Sequence, residues 1–190
     1  MITHQIKSIL NLNKQDHLLD LCCGNGALTA LLIDDCKSIE AVDFSDYLIE
    51  VAQKKFTHSN INYVLSDVVD YCKKGIHADK VNKALCYGSI AYLSDSQVIQ
   101  LLTALKNNYP SINEVLIGNI PDTNRYDKFS QSVSDVQISL TNCDSALGIW
   151  RSPDEFTELI KPIGWVARVH KMPDEFVASH YRYDLLINRV

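Results

Sequence analysis

The sequence predicts an open α/β sheet, mostly parallel, with helices on both faces. Short apolar runs of strand length alternate with segments of helical period along most of the chain, the pattern of a parallel sheet covered on both sides. The last two runs break that rhythm. Only "PDEFVAS" separates them, and so short a link implies an antiparallel hairpin at the sheet edge. A third observation is the run "LLDLCC", which stops at Gly24 and turns at once into helix-forming sequence. Open sheets hold ligands at strand-turn-helix junctions of this kind.

Taken in order, "ITHQIKSIL" sets Ile2, Ile6, Ile9 and Leu10 on one helical face. "HLLDLCC" has the length of a buried strand, and Asn25 to Asp34 reads as helix with Ala27, Leu28, Leu31 and Leu32 inward. "SIEAVDF" is the second strand, after which Ser45 caps a helix carrying Leu48, Val51 and Ala52. "INYVLSD" and "VNKALCYG" are the third and fourth strands. Ser94 and Gln97 form a capping box ahead of the stripe Val98, Leu101, Leu102 and Leu105. "EVLIGNI" is the fifth strand. Ser152, Pro153 and Glu155 open another helix, with proline where its missing amide costs nothing. "GWVARVHKM" and "HYRYDLLINRV" close the chain. The polar, weakly periodic stretch from 121 to 149 is too long for a simple connection and reads as an insert or lid.

The chain has 190 residues, which suits a single domain, and 46% apolar residues, enough for a packed core. A net charge of −5 supplies no basic field, which argues against a nucleic-acid partner. No apolar run approaches the roughly 20 residues of a membrane span, and no charged-then-apolar leader opens the chain, so it reads as cytoplasmic and without a membrane partner. The six cysteines show no C-x-x-C spacing and no two histidines share a helical face, so no metal site is expected. Buried thiols acting as small hydrophobes are the plain reading.

The glycine turn excludes some ligands. A P-loop needs Lys-Ser/Thr after its last glycine, but Ala27 and Leu28 follow Gly26. A dinucleotide fingerprint needs a third glycine where Thr29 stands. Asp43 ends the second strand, where an acid can accept ribose hydroxyl protons, although it can also cap the next helix. Asp67 ends the third strand, where it can accept from an adenine amine or serve as an N-cap. With Asp20 ahead of the turn, three carboxylates around one crevice suit a ligand with a cationic end and no phosphate.

"LLDLCCGNGAL", "IEAVDFSDYLIEVAQKK" and "NYVLSDVVDY" together resemble the class I S-adenosylmethionine-dependent methyltransferases. The glycine motif of that family reads acid-x-Gly-x-Gly-x-Gly. This chain matches it at Asp20, Gly24 and Gly26 and departs from it at Cys22. The resemblance implies a Rossmann-like, seven-stranded sheet of order 3-2-1-4-5-7-6 with the seventh strand antiparallel. It also implies S-adenosylmethionine as cofactor. Asp20, Cys22, Gly24, Asn25 and Gly26 would form the turn, with Asp20 and the Gly24 backbone holding the methionine amino group. Asp43 and Phe44 would face the ribose, Asp67 and Val68 the adenine, and Cys86, Tyr87 and Gly88 the methionine and its methyl group.

Methyl transfer from a sulfonium asks the protein mainly for alignment and a desolvated site, so a catalytic group need not announce itself. "CYGSIAY" after the fourth strand lacks both the Asn/Asp-Pro-Pro-Tyr motif of amino-group methyltransferases and the carboxylates of magnesium-dependent catechol enzymes. "NIPD" at Asn119 to Asp122 follows the fifth strand instead. The expected reaction is O-methylation of a small molecule, a sugar or related metabolite, by a monomer or homodimer. A dinucleotide-dependent oxidoreductase and a silent binding subunit are the alternatives. Tyr92, Asp122, Tyr126 and His170 are the candidate catalytic residues, while His170 also reads as a packed histidine and Arg182 with Asp184 as a structural ion pair.

Overall fold

The computed structural model describes residues 2–130 and 139–190, except for the side chain of Ser130. The strands are β1 (His17–Leu21), β2 (Ser38–Asp43), β3 (Ile61–Leu65), β4 (Lys83–Tyr87), β5 (Glu114–Pro121), β6 (Trp165–Lys171) and β7 (Arg182–Arg189). They form one sheet of order β3-β2-β1-β4-β5-β7-β6, as expected. The first five run parallel, and β7 lies antiparallel between β5 and β6. The chain moves outward from β1 to β3, then crosses back to place β4 on the other side of β1. Side chains at the carboxyl ends of β1 and β4 therefore diverge around a crevice, the usual ligand site of an open α/β sheet.

Strand alternation sorts the core into two layers. Leu18, Ile39, Leu85 and Leu116 face α1 (Ile2–Ile9) and α2 (Ala27–Leu32). Leu19, Leu21, Cys86 and Ile117 face the opposite layer, with α4 (Val68–Lys73), α5 (Asp95–Asn108) and α7 (Pro153–Ile160). Sequence-readable caps set the helix starts. Ser45 accepts from the Leu48 amide ahead of α3 (Asp46–Lys55), and both capping boxes, Ser94 with Gln97 and Ser152 with Glu155, are formed.

Three departures from expectation have simple causes. The helix α4 has only 6 residues, too few to show a period, yet it buries Val68, Val69, Tyr71 and Cys72. The helix expected over Asn25 to Asp34 begins at Ala27, because Gly26 is left-handed, and tightens into a 3-10 turn over Ile33–Asp35. The expected insert begins within β5, which runs on to Pro121, and continues through a turn at Thr123–Arg125 into α6 (Tyr126–Ser130). Part of it, 131–138, lies outside the described residues. Among the described residues, no helix is long and apolar enough to cross a membrane.

Candidate active site

The site grows from the end of β1. Cys22, Gly24 and Gly26 all have left-handed backbone, at φ 59°, 57° and 75°. Cys22 therefore keeps the angle for which the family pattern uses glycine, at a cost of about 1–2 kcal/mol for a residue with a Cβ. Gly24 has open space where a Cβ would sit, so this part of the turn presents bare backbone. At Gly26 the opposite holds. A Cβ there would lie 2.7 Å from the Tyr63 hydroxyl and 2.9 Å from the Ala52 Cβ, so only glycine lets the turn pack on β3 and α3.

Asp43 ties the turn to the next strand. Its Oδ2 accepts from the Gly24 amide and its Oδ1 from the Ser45 amide, each at 2.9 Å. Each oxygen keeps a lone pair for a further donor. Asp67 takes the N-cap role, its Oδ1 accepting from Val69 and Asp70 at the start of α4, and the residue also lines the crevice. Asp20 lies beneath the turn and does not line the crevice. It is 2% exposed and accepts from the Thr29 hydroxyl at 2.6 Å. Burial pushes its pKa up to about 7, with the Thr29 hydrogen bond opposing and the charge of Asp43 adding.

The crevice is a cavity of about 500 Å³. Its walls are the glycine turn, Asp43–Phe44, Asp67–Val68 and, from the far side, the segment Cys143–Ser145. Phe44 offers an exposed ring, with Leu48 beside it. The chain just after the 143–145 segment is tied by two hydrogen bonds to the turn after β4: Ile149 N donates to Ala91 O at 2.7 Å, and the Tyr92 hydroxyl donates to Ala146 O at 3.0 Å. Neither Leu48, whose spacing marks it as core, nor the 143–145 segment carries a sequence signal for this position.

The remaining expected residues scatter around this crevice. Asn25 is exposed, and its side chain accepts from the Ala27 amide. Cys86 is buried below the turn, and its thiol meets that of Cys22. This contact first, and burial second, raises the Cys22 thiol well above its ordinary pKa. Tyr87 points to the other face of the sheet, crossing Gly118 and lining a separate apolar pocket with Ile2, Leu28 and Leu31. Gly88 is left-handed at φ 80°, and its amide donates to Gly118 O at 2.9 Å.

Of the four catalytic candidates, only Tyr92 lines the crevice. Asp122 is 3% exposed and spent on the turn after β5, accepting from the Asn124 amide and the Arg125 guanidinium. Tyr126 packs edge-on against Trp150, with ring centroids 5.6 Å apart, where the insert leaves and rejoins the sheet. His170 lies on β6, the outermost strand, and lines a different pocket with His4, Gln5 and Ser8. Nor do Arg182 and Asp184 form the ion pair suggested by their spacing. Both grip the backbone of Asn119 instead. These placements depend on strand order and loop path, which local spacing does not encode.

A glycine turn at the switch point of an open α/β sheet, with acids closing the next two strands, defines a nucleoside-binding protein of the doubly wound type. Residues 18–108 match the family model described as "Methyltransferase domain". With its sheet order and turn, that match supports a class I S-adenosylmethionine-dependent methyltransferase. It is 30% identical over 113 residues to a probable cobalt-precorrin-6B C(15)-methyltransferase (decarboxylating) of Methanocaldococcus jannaschii, covering 58% of each chain. It is 33% identical over 70 residues to ribosomal RNA small subunit methyltransferase A of Fusobacterium nucleatum, covering 36% of this chain and 26% of that one. The chain thus spans little more than half the length of the first relative and about a quarter of the second. Among solved structures, the DhpI–SAH complex superposes with a TM-score of 0.69 at 16% identity, over 97% of this chain and 81% of that one, a likeness of fold.

The described residues fit the family's cofactor. Asp43 and Asp67 are acceptors for hydroxyl and amine protons, bare turn backbone faces the cavity at Gly24, and Phe44, Leu48 and Val68 form an apolar wall. No Lys or Arg stands among the described lining residues to meet a pyrophosphate.

Proposed function

We propose that this chain transfers a methyl group from S-adenosylmethionine to the hydroxyl of a small molecule, with a sugar or related metabolite as the first acceptor class to try. The single observation that carries the cofactor reading is the acid-only charged lining of the crevice beside a left-handed glycine turn. The net charge of −5 supports a small acceptor over an RNA.

Bound there, S-adenosylmethionine supplies a methyl group already activated by its sulfonium. The protein's part is to hold and to exclude. Asp43 has a free lone pair on each oxygen for the ribose hydroxyls, and a buried carboxylate makes stronger, charge-assisted hydrogen bonds. The Val68 amide, at the first position of α4, has no intrahelical acceptor and is free to meet a base. Phe44 and Leu48 would supply the apolar wall against the cofactor, and the 143–145 segment, which lines the cavity, would help exclude water. Ionised Asp20, one layer below, favours a cationic group above the turn without touching it.

Calorimetry tests the reading. S-adenosylhomocysteine is expected to bind, and NAD is not. Incubation with S-adenosylmethionine and a panel of hydroxylated metabolites is then expected to add the mass of one methyl group to one of them. Binding of NAD in preference to S-adenosylhomocysteine would turn the assignment to an oxidoreductase. Cofactor binding with no methylated product would leave a binding subunit.

A further inference from the structure

We infer that Asn119 orients the methyl acceptor, its side-chain amide oxygen accepting a hydrogen bond from the hydroxyl or amine that takes the methyl group. The inference rests on the methyl-transfer reading above and names the acceptor's chemistry: a nucleophile that still carries a proton.

The first support is backbone. The β5–β7 ladder loses register between Ile117 and Ile120, leaving Gly118 and Asn119 as a bulge, and Asn119 sits at φ 62° in the left-handed region. Bulges of this kind re-aim one side chain and gather near active sites. Here the conformation is held from both ends. The Asn119 amide donates to Asp184 Oδ1 at 2.8 Å, and its carbonyl accepts from Arg182 Nη1 at 2.7 Å. Asp184 is fully buried and is itself held by Gln5 of α1 at 2.6 Å. Two neighbouring elements therefore over-determine one unusual residue, as expected where local strain serves a purpose.

The second support is place. The Asn119 side chain reaches across to the end of β4, its Nδ2 lying 3.5 Å from where a Cβ on Gly88 would be. Gly88 belongs to the segment expected to face the transferred methyl. Gly118, next to Asn119, has no Cβ and so lets the Tyr87 ring cross it; a Cβ there would lie 2.2 Å from that ring.

The third support is an unmet need. Asn119 Oδ1 is buried and has no donor among the described residues. Were the position required only to be left-handed, glycine would serve at no steric cost. Were the amide a strut, it would have partners, as buried amides nearly always do. A donor brought by a ligand answers both points. In the step, a lone pair of the acceptor oxygen or nitrogen forms the new bond to the methyl carbon. The methyl–sulfur bond breaks with its pair left on sulfur, and the proton, hydrogen-bonded to Asn119 during attack, leaves to solvent. The amide directs that proton and does not take it.

The test uses Asn119→Gly, which keeps the left-handed backbone and both backbone hydrogen bonds while removing the amide. Asn119→Ala, which strains the same backbone, is the control. Methyl transfer is read with tritiated S-adenosylmethionine on a panel of simple alcohols, phenols and amines. Asn119→Gly is expected to bind S-adenosylhomocysteine as the parent does, to melt at the same temperature or higher, and to transfer methyl about 100-fold more slowly, the scale of a misplaced nucleophile. Parent-like transfer by Asn119→Gly overturns the inference. So does a melting temperature as depressed as that of Asn119→Ala, which would make the amide a structural strut; this arm needs no acceptor. If the parent chain itself binds no S-adenosylhomocysteine, the functional reading has failed, and the melting comparison still decides whether Asn119 is a strut.

Discussion

The two halves of the sheet satisfy their polar groups differently. From β1 to β4, the carboxylates at and beneath the crevice are engaged: Asp43 with two amides, Asp67 with two, and Asp20, below the turn, with a hydroxyl. From β5 onward the accounting fails to close. Asn119, Trp150, Arg151, His170, His180 and Arg182 each hold a buried polar atom with no partner among the described residues. A buried donor or acceptor left unmade costs about 1–3 kcal/mol, and among the described residues these costs gather in one half. The same boundary appears in the comparisons, because the family model covers 18–108 and stops before β5. The half that the family model covers holds the glycine turn and the two acids that line the crevice.

The largest effect should come from breaking the ordered half at its tightest point. Gly26→Ala adds a Cβ that meets Tyr63 and Ala52 and forces an alanine to φ 75°. It should lose about 2–4 kcal/mol of stability in urea unfolding and abolish cofactor binding. Unchanged stability would mean that the turn is not packed as described. Next in size, Asp43→Ala should weaken S-adenosylhomocysteine binding about 10- to 100-fold by calorimetry, the scale of one or two hydrogen bonds to a charged group.

Asp20 gives a sharper contrast through pH. Its pKa is raised in the fold to about 7, so between its unfolded value near 4 and about pH 7 the folded protein binds the extra proton. Stability from this group is therefore lost as pH rises through that window, the reverse of an ordinary salt-bridged aspartate. Asp20→Asn should flatten this slope and be more stable at pH 8 by at least about 1 kcal/mol, as melting curves at two pH values would read. If Asp20 attracts the cofactor's cationic end, the same variant should also lose the gain in affinity between pH 6 and 8. The smallest effect is expected at Cys22→Gly, where relief of the left-handed angle and the added freedom of the unfolded chain nearly cancel. Stability should move by less than about 1 kcal/mol with cofactor affinity kept, whereas a large loss would assign the Cys22–Cys86 contact a structural weight.

Legibility followed the same divide. The placement of Asp43, Asp67 and the turn at the crevice was readable because each depends on a few adjacent residues: a strand end, an acid, two glycines. Helix α4 escaped because its 6 residues carry no period, although the cap that starts it, Asp67, was visible. His170 and Tyr126 were plausible by residue type and misleading by position, since spacing along a strand says nothing about which strand lies at the edge. Asn119 stood in plain sight within "GNIPD" but gave no sign that it ends a bulge.

By itself the sequence determined the number and kind of elements, the two-faced core and the acid-lined turn. These arise from contacts within a few residues, where periodicity, capping and glycine's freedom act directly. Only the tertiary structure decided that the 143–145 segment lines the cavity, that Arg182 and Asp184 grip a neighbouring strand rather than each other, and that Asn119 reaches the end of β4. Each of these joins residues from 31 to 123 positions apart along the chain, and such contacts are settled by how distant segments meet in the fold, a choice no local pattern records.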